Sequence, residues 1–183
     1  MNHDVFMAGF GGQGVLLIGN LLAYATILEG NNASYFPAYG VEKRGGAANC
    51  TVVMSDTTVG SPVVGEPEAA ILMNPAAMTQ FYPRVRRGGL ALINSSLIED
   101  DGSSRTDLTA IAIPANDMAL EIGDSRLVNM VMLGAYIEYS KVVRAETVKE
   151  ALKEVLPERN HRFLPFNYTA LEAGAAYLRK ALA

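Results

Sequence analysis

Gly9-Phe10-Gly11-Gly12-Gln13-Gly14 is a G-x-G-x-x-G run, and its flanks restrict the fold more than any other part of the chain. Val5-Phe6-Met7-Ala8 before it reads as a short buried strand. From Gly12 to about Glu29, Val15, Leu16, Ile18, Leu21, Leu22 and Ile27 fall largely on one side of a helix, which Glu29-Gly30-Asn31-Asn32 stops. A strand that turns through glycines into a helix is a Rossmann-like first βα unit. Glycine permits the tight turn and a close backbone approach, while main-chain N–H groups and the helix N-terminus supply positive potential for a phosphate. The alternative reading of the same run is a tight strand-to-helix turn with no ligand.

The pattern continues as strands alternating with helices. Ala33 to Phe36, Asn49 to Met54, Ala69 to Met73, Gly89 to Asn94 and Leu108 to Ile113 have strand length and composition. Pro37 to Gly46 reads as a loop, and Ser55-Asp56 begins a turn that runs to a short extended piece ending at Ser61-Pro62. Asn74-Pro75 is a helix cap followed by proline at the first helical position, leading a helix to about Tyr82. Helices are expected over Ala115 to Ile122, Leu127 to Tyr139, Ala145 to Leu156 and Phe166 to Leu182, the last with Asn167 as its cap. The expectation is an α/β three-layer sandwich around a mainly parallel sheet with a helical C-terminal part. No repeat, linker or change of composition divides the chain, so residues 1–183 read as one domain.

The glycine run does not fit every nucleotide. An NAD site wants an acid at the end of the second strand for the ribose hydroxyls, and Pro37, Ala38 and Tyr39 stand there instead; Glu29 lies where the helix ends. The Gly-Lys-Ser/Thr of a Walker loop is absent. A phosphate-bearing ligand other than NAD stays open. Downstream, Glu42, Lys43 and Arg44 precede Gly45-Gly46 in a loop that also holds Tyr35, Phe36 and Tyr39. Arg44 could grip a carboxylate or phosphate in forked geometry or pair with Glu42.

Composition removes further classes. Fifteen Lys plus Arg against 19 Asp plus Glu, net −4, argues against a nucleic-acid-binding face. No apolar run reaches the ~18–20 residues needed to span a bilayer, and the start, Met-Asn-His-Asp, lacks the basic flank of a cleaved signal. These point to a cytoplasmic protein. Cys50 is the single cysteine, expected as a packing thiol, so the chain can hold no disulfide, Cys₄ zinc site or ordinary iron–sulfur cluster of its own. His3 and His161 have no metal-ligand spacing, Met130, Met132 and Leu133 read as core, and Asp100-Asp101-Gly102 reads as a turn. Arg84, Arg86 and Arg87 are a small basic cluster, solvated by default, that could meet an acidic partner or a distal phosphate.

Taken together, Gly9 to Val15, then Tyr39-Gly40-Val41-Glu42-Lys43-Arg44-Gly45-Gly46, then Ser55-Asp56 and Ser61-Pro62 resemble the gamma subunit of 2-oxoacid:ferredoxin oxidoreductases. The resemblance implies a subunit, inactive alone, of an enzyme that converts a 2-oxoacid, coenzyme A and oxidised ferredoxin to an acyl-CoA, carbon dioxide and reduced ferredoxin. 2-Oxoglutarate is the favoured substrate and pyruvate the next. Thiamine diphosphate and iron–sulfur clusters would sit on partner chains: thiamine-binding alpha and beta type subunits and a ferredoxin-like delta type subunit. Carried over, Gly11, Gly12, Gln13 and Gly14 would face the phosphates of coenzyme A, with Arg44 a second contact and Asn129 a polar neighbour. None of these would act as acid, base or nucleophile. The isolated chain is expected to self-associate through surface meant for partners. Two other readings remain: a free-standing nucleotide-binding oxidoreductase domain, and a structural assembly module with a ligand-free glycine turn.

Overall fold

The structure, a computed structural model, describes residues 2–39 and 46–183. Six strands, β1 (Asn2–Phe10), β2 (Asn32–Tyr39), β3 (Ala47–Ser55), β4 (Ala69–Leu72), β5 (Leu90–Asn94) and β6 (Thr109–Ile113), form one sheet in the order β2-β3-β1-β4-β5-β6. β1, β4, β5 and β6 pair in parallel, whereas β3 lies antiparallel between β1 and β2. The sheet is therefore mixed, with β3 the one strand of the six reversed among the described residues. The parallel strands read as continuous apolar runs because both of their faces are covered.

The two faces are covered unequally. Helices α1 (Val15–Leu28), α3 (Ala115–Ile122), α4 (Val128–Ser140), α5 (Ala145–Val155) and α6 (Leu164–Ala181) close the larger core over Val5, Met7, Cys50, Val52, Ile71 and Leu92. The opposite face carries Phe6, Ala8, Leu72, Ala91 and Ile93 under α2 (Pro75–Phe81) and the short 3₁₀ turn Tyr82–Arg84. α4 is buried from Val128 to Ile137, the pattern of a helix apolar all round. It can lie so deep because α6 crosses it at two glycines. A Cβ on Gly134 would stand 2.0 Å from the Leu171 carbonyl oxygen, and one on Gly174 would stand 1.9 Å from that of Val131.

Several boundaries differ from the sequence expectation for physical reasons. β2 runs through Pro37 to Tyr39, where a loop is expected. It is an edge strand, with no ladder partner on one side to miss a proline N–H. α6 starts at Leu164, so Asn167 is inside its first turn and donates from Nδ2 to the Phe163 carbonyl at 2.7 Å instead of capping. α1 starts at Val15, three residues beyond Gly12. Asn74 does cap α2, its side chain accepting the Ala77 N–H at 2.8 Å, with Pro75 at the first helical position.

Candidate functional site: a glycine cradle at the strand ends

β1 and β4 are parallel neighbours whose following helices leave to opposite faces, α1 to one and α2 to the other. That makes the β1/β4 boundary a topological switch point, the crevice where open α/β sheets take ligands. The glycine run lies there. Gly14 is the N-cap of α1 in the left-handed region, φ 74°, and its carbonyl accepts the Ile18 N–H at 3.2 Å. The N–H groups of Val15, Leu16 and Leu17 have no partner within the helix and point out of its first turn.

The loop is held from three sides. Gly11 donates its N–H to the Gly46 carbonyl at 2.8 Å. Gln13 and Phe10 clasp one another, the Gln13 N–H donating to the Phe10 carbonyl at 3.1 Å and the Phe10 N–H donating to Gln13 Oε1 at 2.7 Å. Gln13 Nε2 then donates to the Met73 carbonyl at 3.2 Å, at the end of β4. Asn74 Nδ2 adds a contact to Gln13 Oε1 at 3.4 Å, and Asn94 Nδ2 donates to the same Met73 carbonyl at 3.2 Å and to Asn116 Oδ1 at 2.8 Å. Both ends of the Gln13 amide are thus engaged within the chain. It shapes the loop, and the groups this leaves for an anion are main-chain N–H donors.

The sequence candidates separate clearly. Gly11, Gly12, Gln13 and Gly14 are together, with Gly11 and Gly12 exposed. Asn129 joins them from the start of α4: it is buried, and its Nδ2 donates to the Gly14 carbonyl at 3.3 Å. Arg44, with Glu42 and Lys43, lies outside the described residues. Asn94 and Asn116 belong to the site's support and escaped the sequence reading, as did the contact with Gln13 of Asn74, read there only as a helix cap. The available signal was an asparagine at the end of two apolar strands, where parallel sheets gather their polar groups.

The other charged candidates are accounted for elsewhere. Glu29 accepts the Arg144 N–H at 2.8 Å and its guanidinium at 3.2 Å, which ties the end of α1 to the start of α5. It faces no ribose site. Arg84 donates to the carbonyls of Gly65 and Val64 and lies over Phe6 and Phe81, each 5.6 Å away. Arg86 pairs with Glu68 at 3.1 Å and Arg87 with Asp107 at 3.5 Å. Glu68 precedes β4, so Arg86 is at the end of the parallel strands opposite the glycine loop. His3 is bound to Glu68 at 3.1 Å and His161 to the Leu156 carbonyl at 2.9 Å.

An open, mixed α/β sheet whose glycine loop leads from β1 into α1 at the switch point defines a class, the Rossmann-like α/β domain. The chain belongs to the pyruvate ferredoxin/flavodoxin oxidoreductase family, which it matches over residues 4–177. It is 38% identical over 179 residues to the ketoisovalerate oxidoreductase subunit VorA of Methanothermobacter marburgensis, covering 97% of this chain and 37% of VorA. The chain therefore spans little more than a third of that relative. Its fold matches the gamma subunit of a keto/oxoacid ferredoxin oxidoreductase from Geobacter sulfurreducens PCA (TM-score 0.85, 26% identity, 99% of this chain and 98% of that one). It also matches part of a 2-oxoglutarate:ferredoxin oxidoreductase from Magnetococcus marinus, solved with 2-oxoglutarate, coenzyme A and succinyl-CoA bound (TM-score 0.90, 24% identity, 98% and 31%).

Proposed function

We propose that this chain is the gamma-type subunit of a 2-oxoacid:ferredoxin oxidoreductase and that its glycine cradle docks coenzyme A. The enzyme would convert a 2-oxoacid and coenzyme A to an acyl-CoA and carbon dioxide, with two electrons passing to ferredoxin. 2-Oxoglutarate is the leading substrate, ahead of pyruvate and ketoisovalerate. Thiamine diphosphate would supply the carbanion chemistry and iron–sulfur clusters the electron path, both on alpha, beta and delta type partners. This chain's lone, buried Cys50 cannot ligate a cluster. Its own contribution is proximity, holding the coenzyme so that the thiol reaches an intermediate on another subunit.

The observation that carries this reading is the cradle itself: Gly14 in a left-handed cap, braced by Asn129, with the first-turn N–H groups of α1 pointing out beside exposed Gly11 and Gly12. The engagement of Glu29 with Arg144 argues against the rival reading of a free-standing NAD-binding domain. No helix among the described residues is long and apolar enough to cross a membrane, and a ferredoxin-linked acyl-CoA synthesis belongs in the cytoplasm.

Anaerobic purification of the tagged chain from its own cells tests the assignment. Recovery of a thiamine-binding pair and a cysteine-rich ferredoxin-like chain, with ferredoxin reduced by a 2-oxoacid only when coenzyme A is present, is the expected result. A chain recovered alone, free of thiamine diphosphate and iron, and binding NAD in place of coenzyme A would overturn it.

A further inference from the structure

One layer of the sandwich is incomplete. β5 and β6 pair in parallel, so the chain between them must cross over, and such a crossover is ordinarily a helix laid on the sheet. Residues 95–108 make this crossing with turns and no helix. Among the described residues, α2, seven residues long, and the 3₁₀ turn after it remain as the helical cover of that face. Between α2 and the crossing segment lies an open groove of about 590 Å³. Its walls are pinned. Ile98 tucks into the smaller core, Tyr82 donates its hydroxyl to the Gly102 carbonyl, and Arg105 Nη1 donates to the Val85 carbonyl at 2.7 Å. The space is therefore preformed, and it lies where a layered α/β fold would place a helix.

The groove's chemistry narrows what can fill it. Met78, Tyr82 and Ile98 form an apolar floor, with Leu97 beside them still 42% exposed. The rim carries Glu99 and Asp100. Neither carboxylate has an ion-pair partner among the described residues; Asp100 accepts only the Gly102 N–H, at 2.9 Å. Asp101 follows as a third negative charge. The one cation of the crossing segment, Arg105, is forked onto Asp107, at 2.9 Å from Nε and 2.7 Å from Nη2. It does nothing to balance the rim. An apolar trough with an unneutralised acidic rim complements an amphipathic helix that flanks its apolar face with lysine or arginine.

We propose that this groove docks an amphipathic helix of a partner subunit, its apolar side chains over Met78, Leu97 and Ile98 and its Lys or Arg against Glu99 and Asp100. The inference rests on the reading that the chain is one subunit of a larger enzyme. It places that contact on the face of the sheet away from α1 and α4, and it makes the partner's helix the element that completes the layer.

The assembled enzyme, purified through a tag on this chain, supplies the test. Benzoylphenylalanine in place of Leu97 should crosslink on illumination to a partner peptide whose apolar residues recur at helical spacing beside Lys or Arg. The paired reversal Glu99→Lys and Asp100→Lys should lower the partner recovered with the chain on the order of tenfold at low salt, and the gap should narrow as salt screens the repulsion. The same change of charge on exposed positions of α5, Glu150→Lys with Glu154→Lys, should leave recovery unaltered. Equal recovery with both reversed pairs overturns the assignment of the groove and leaves the subunit reading standing. So does a Leu97 crosslink that reaches only a second copy of this chain, an acidic segment or nothing. A native chain that brings down no partner overturns both.

Discussion

Asn129 and Gly14, 115 positions apart in the chain, are in direct contact: Asn129 Nδ2 donates to the Gly14 carbonyl at 3.3 Å and occupies the space a side chain on Gly14 would need. A Cβ there would stand 2.2 Å from that nitrogen, on a backbone whose φ of +74° already disfavours any L side chain. The cradle is thus wedged open from α4, and the helix that braces it is buried along most of its length.

Gly14→Ala should therefore lower stability by roughly 2–3 kcal/mol, combining left-handed strain with overpacking. Asn129→Ala should cost about 1 kcal/mol for its lost hydrogen bond. Because the two share one contact, the double variant should lose less than the sum. Urea unfolding of the four proteins measures the coupling, and strict additivity would refute the wedge.

Gly12 separates charge from shape. Its φ is +102°, yet an added Cβ would meet no atom of the described residues within 4 Å, so against them a side chain there meets backbone strain alone. Gly12→Asn and Gly12→Asp strain the turn alike and differ in charge. At contact distance one charge beside a phosphate is worth about 1–4 kcal/mol between water-like and surface-like screening. The aspartate variant of the assembled enzyme should accordingly show an apparent KM for coenzyme A at least about fivefold above the asparagine variant. Equal values would move the phosphate away from the loop.

The Glu29 tie between α1 and α5 should be visible in acid. Burial pushes this carboxyl up, but hydrogen bonds from the Arg144 main chain, from Thr147 and from the Arg144 side chain outweigh it and hold its pKa below the ordinary 4.5. A depressed folded pKa gives stability that is fully present above the unfolded value and lost as pH falls through the folded one. Denaturation midpoints of the native chain and of Glu29→Gln should differ at pH 7 and converge well below pH 4.5. A gap of constant size at every pH would show that the charge contributes nothing.

Cys50 gives a probe of core opening. It is fully buried, its thiol is pushed up to about 12 by burial, and its Sγ donates weakly to the Val15 carbonyl at 3.7 Å. A thiol-specific disulfide reagent at pH 8 should leave the native chain unmodified and label it only as it unfolds. The labelling midpoint should track the loss of circular dichroism in urea. Labelling ahead of unfolding would mean that the β3–α1 packing opens locally.

Much of this architecture can be read directly in the residues. The glycine run between an apolar strand and a helix located the cradle, and Asn74-Pro75 marked the start of α2 because capping is a local transaction between neighbours in sequence. Position in the sheet is different. Nothing in Asn49 to Met54 states that β3 runs antiparallel between β1 and β2, since a strand buried on both faces has the same composition in either direction. Pro37 reads as a loop residue until the strand that carries it is known to be an edge. Gln13 looks like a ligand group in isolation, and only the closeness of Met73 and Asn74, some 60 positions on, turns its amide inward. Asn129 has no local signal at all, and its place beside the loop follows from the packing of α4.

The glycine crossing of α4 and α6 has a bearing on biosynthesis. Gly134 and Gly174 let the later helix press its backbone onto the earlier one, so α6 is the element that shields the outer side of α4. During translation the apolar α4 is made first and must wait for about forty further residues before its cover exists, ~2–8 s at ordinary elongation rates. Over that interval the ribosome displays a sticky, half-sheltered helix. The nascent protein should depend on a holding chaperone in this window, and a stop codon placed just ahead of Leu164 should yield an aggregating fragment instead of a smaller folded one.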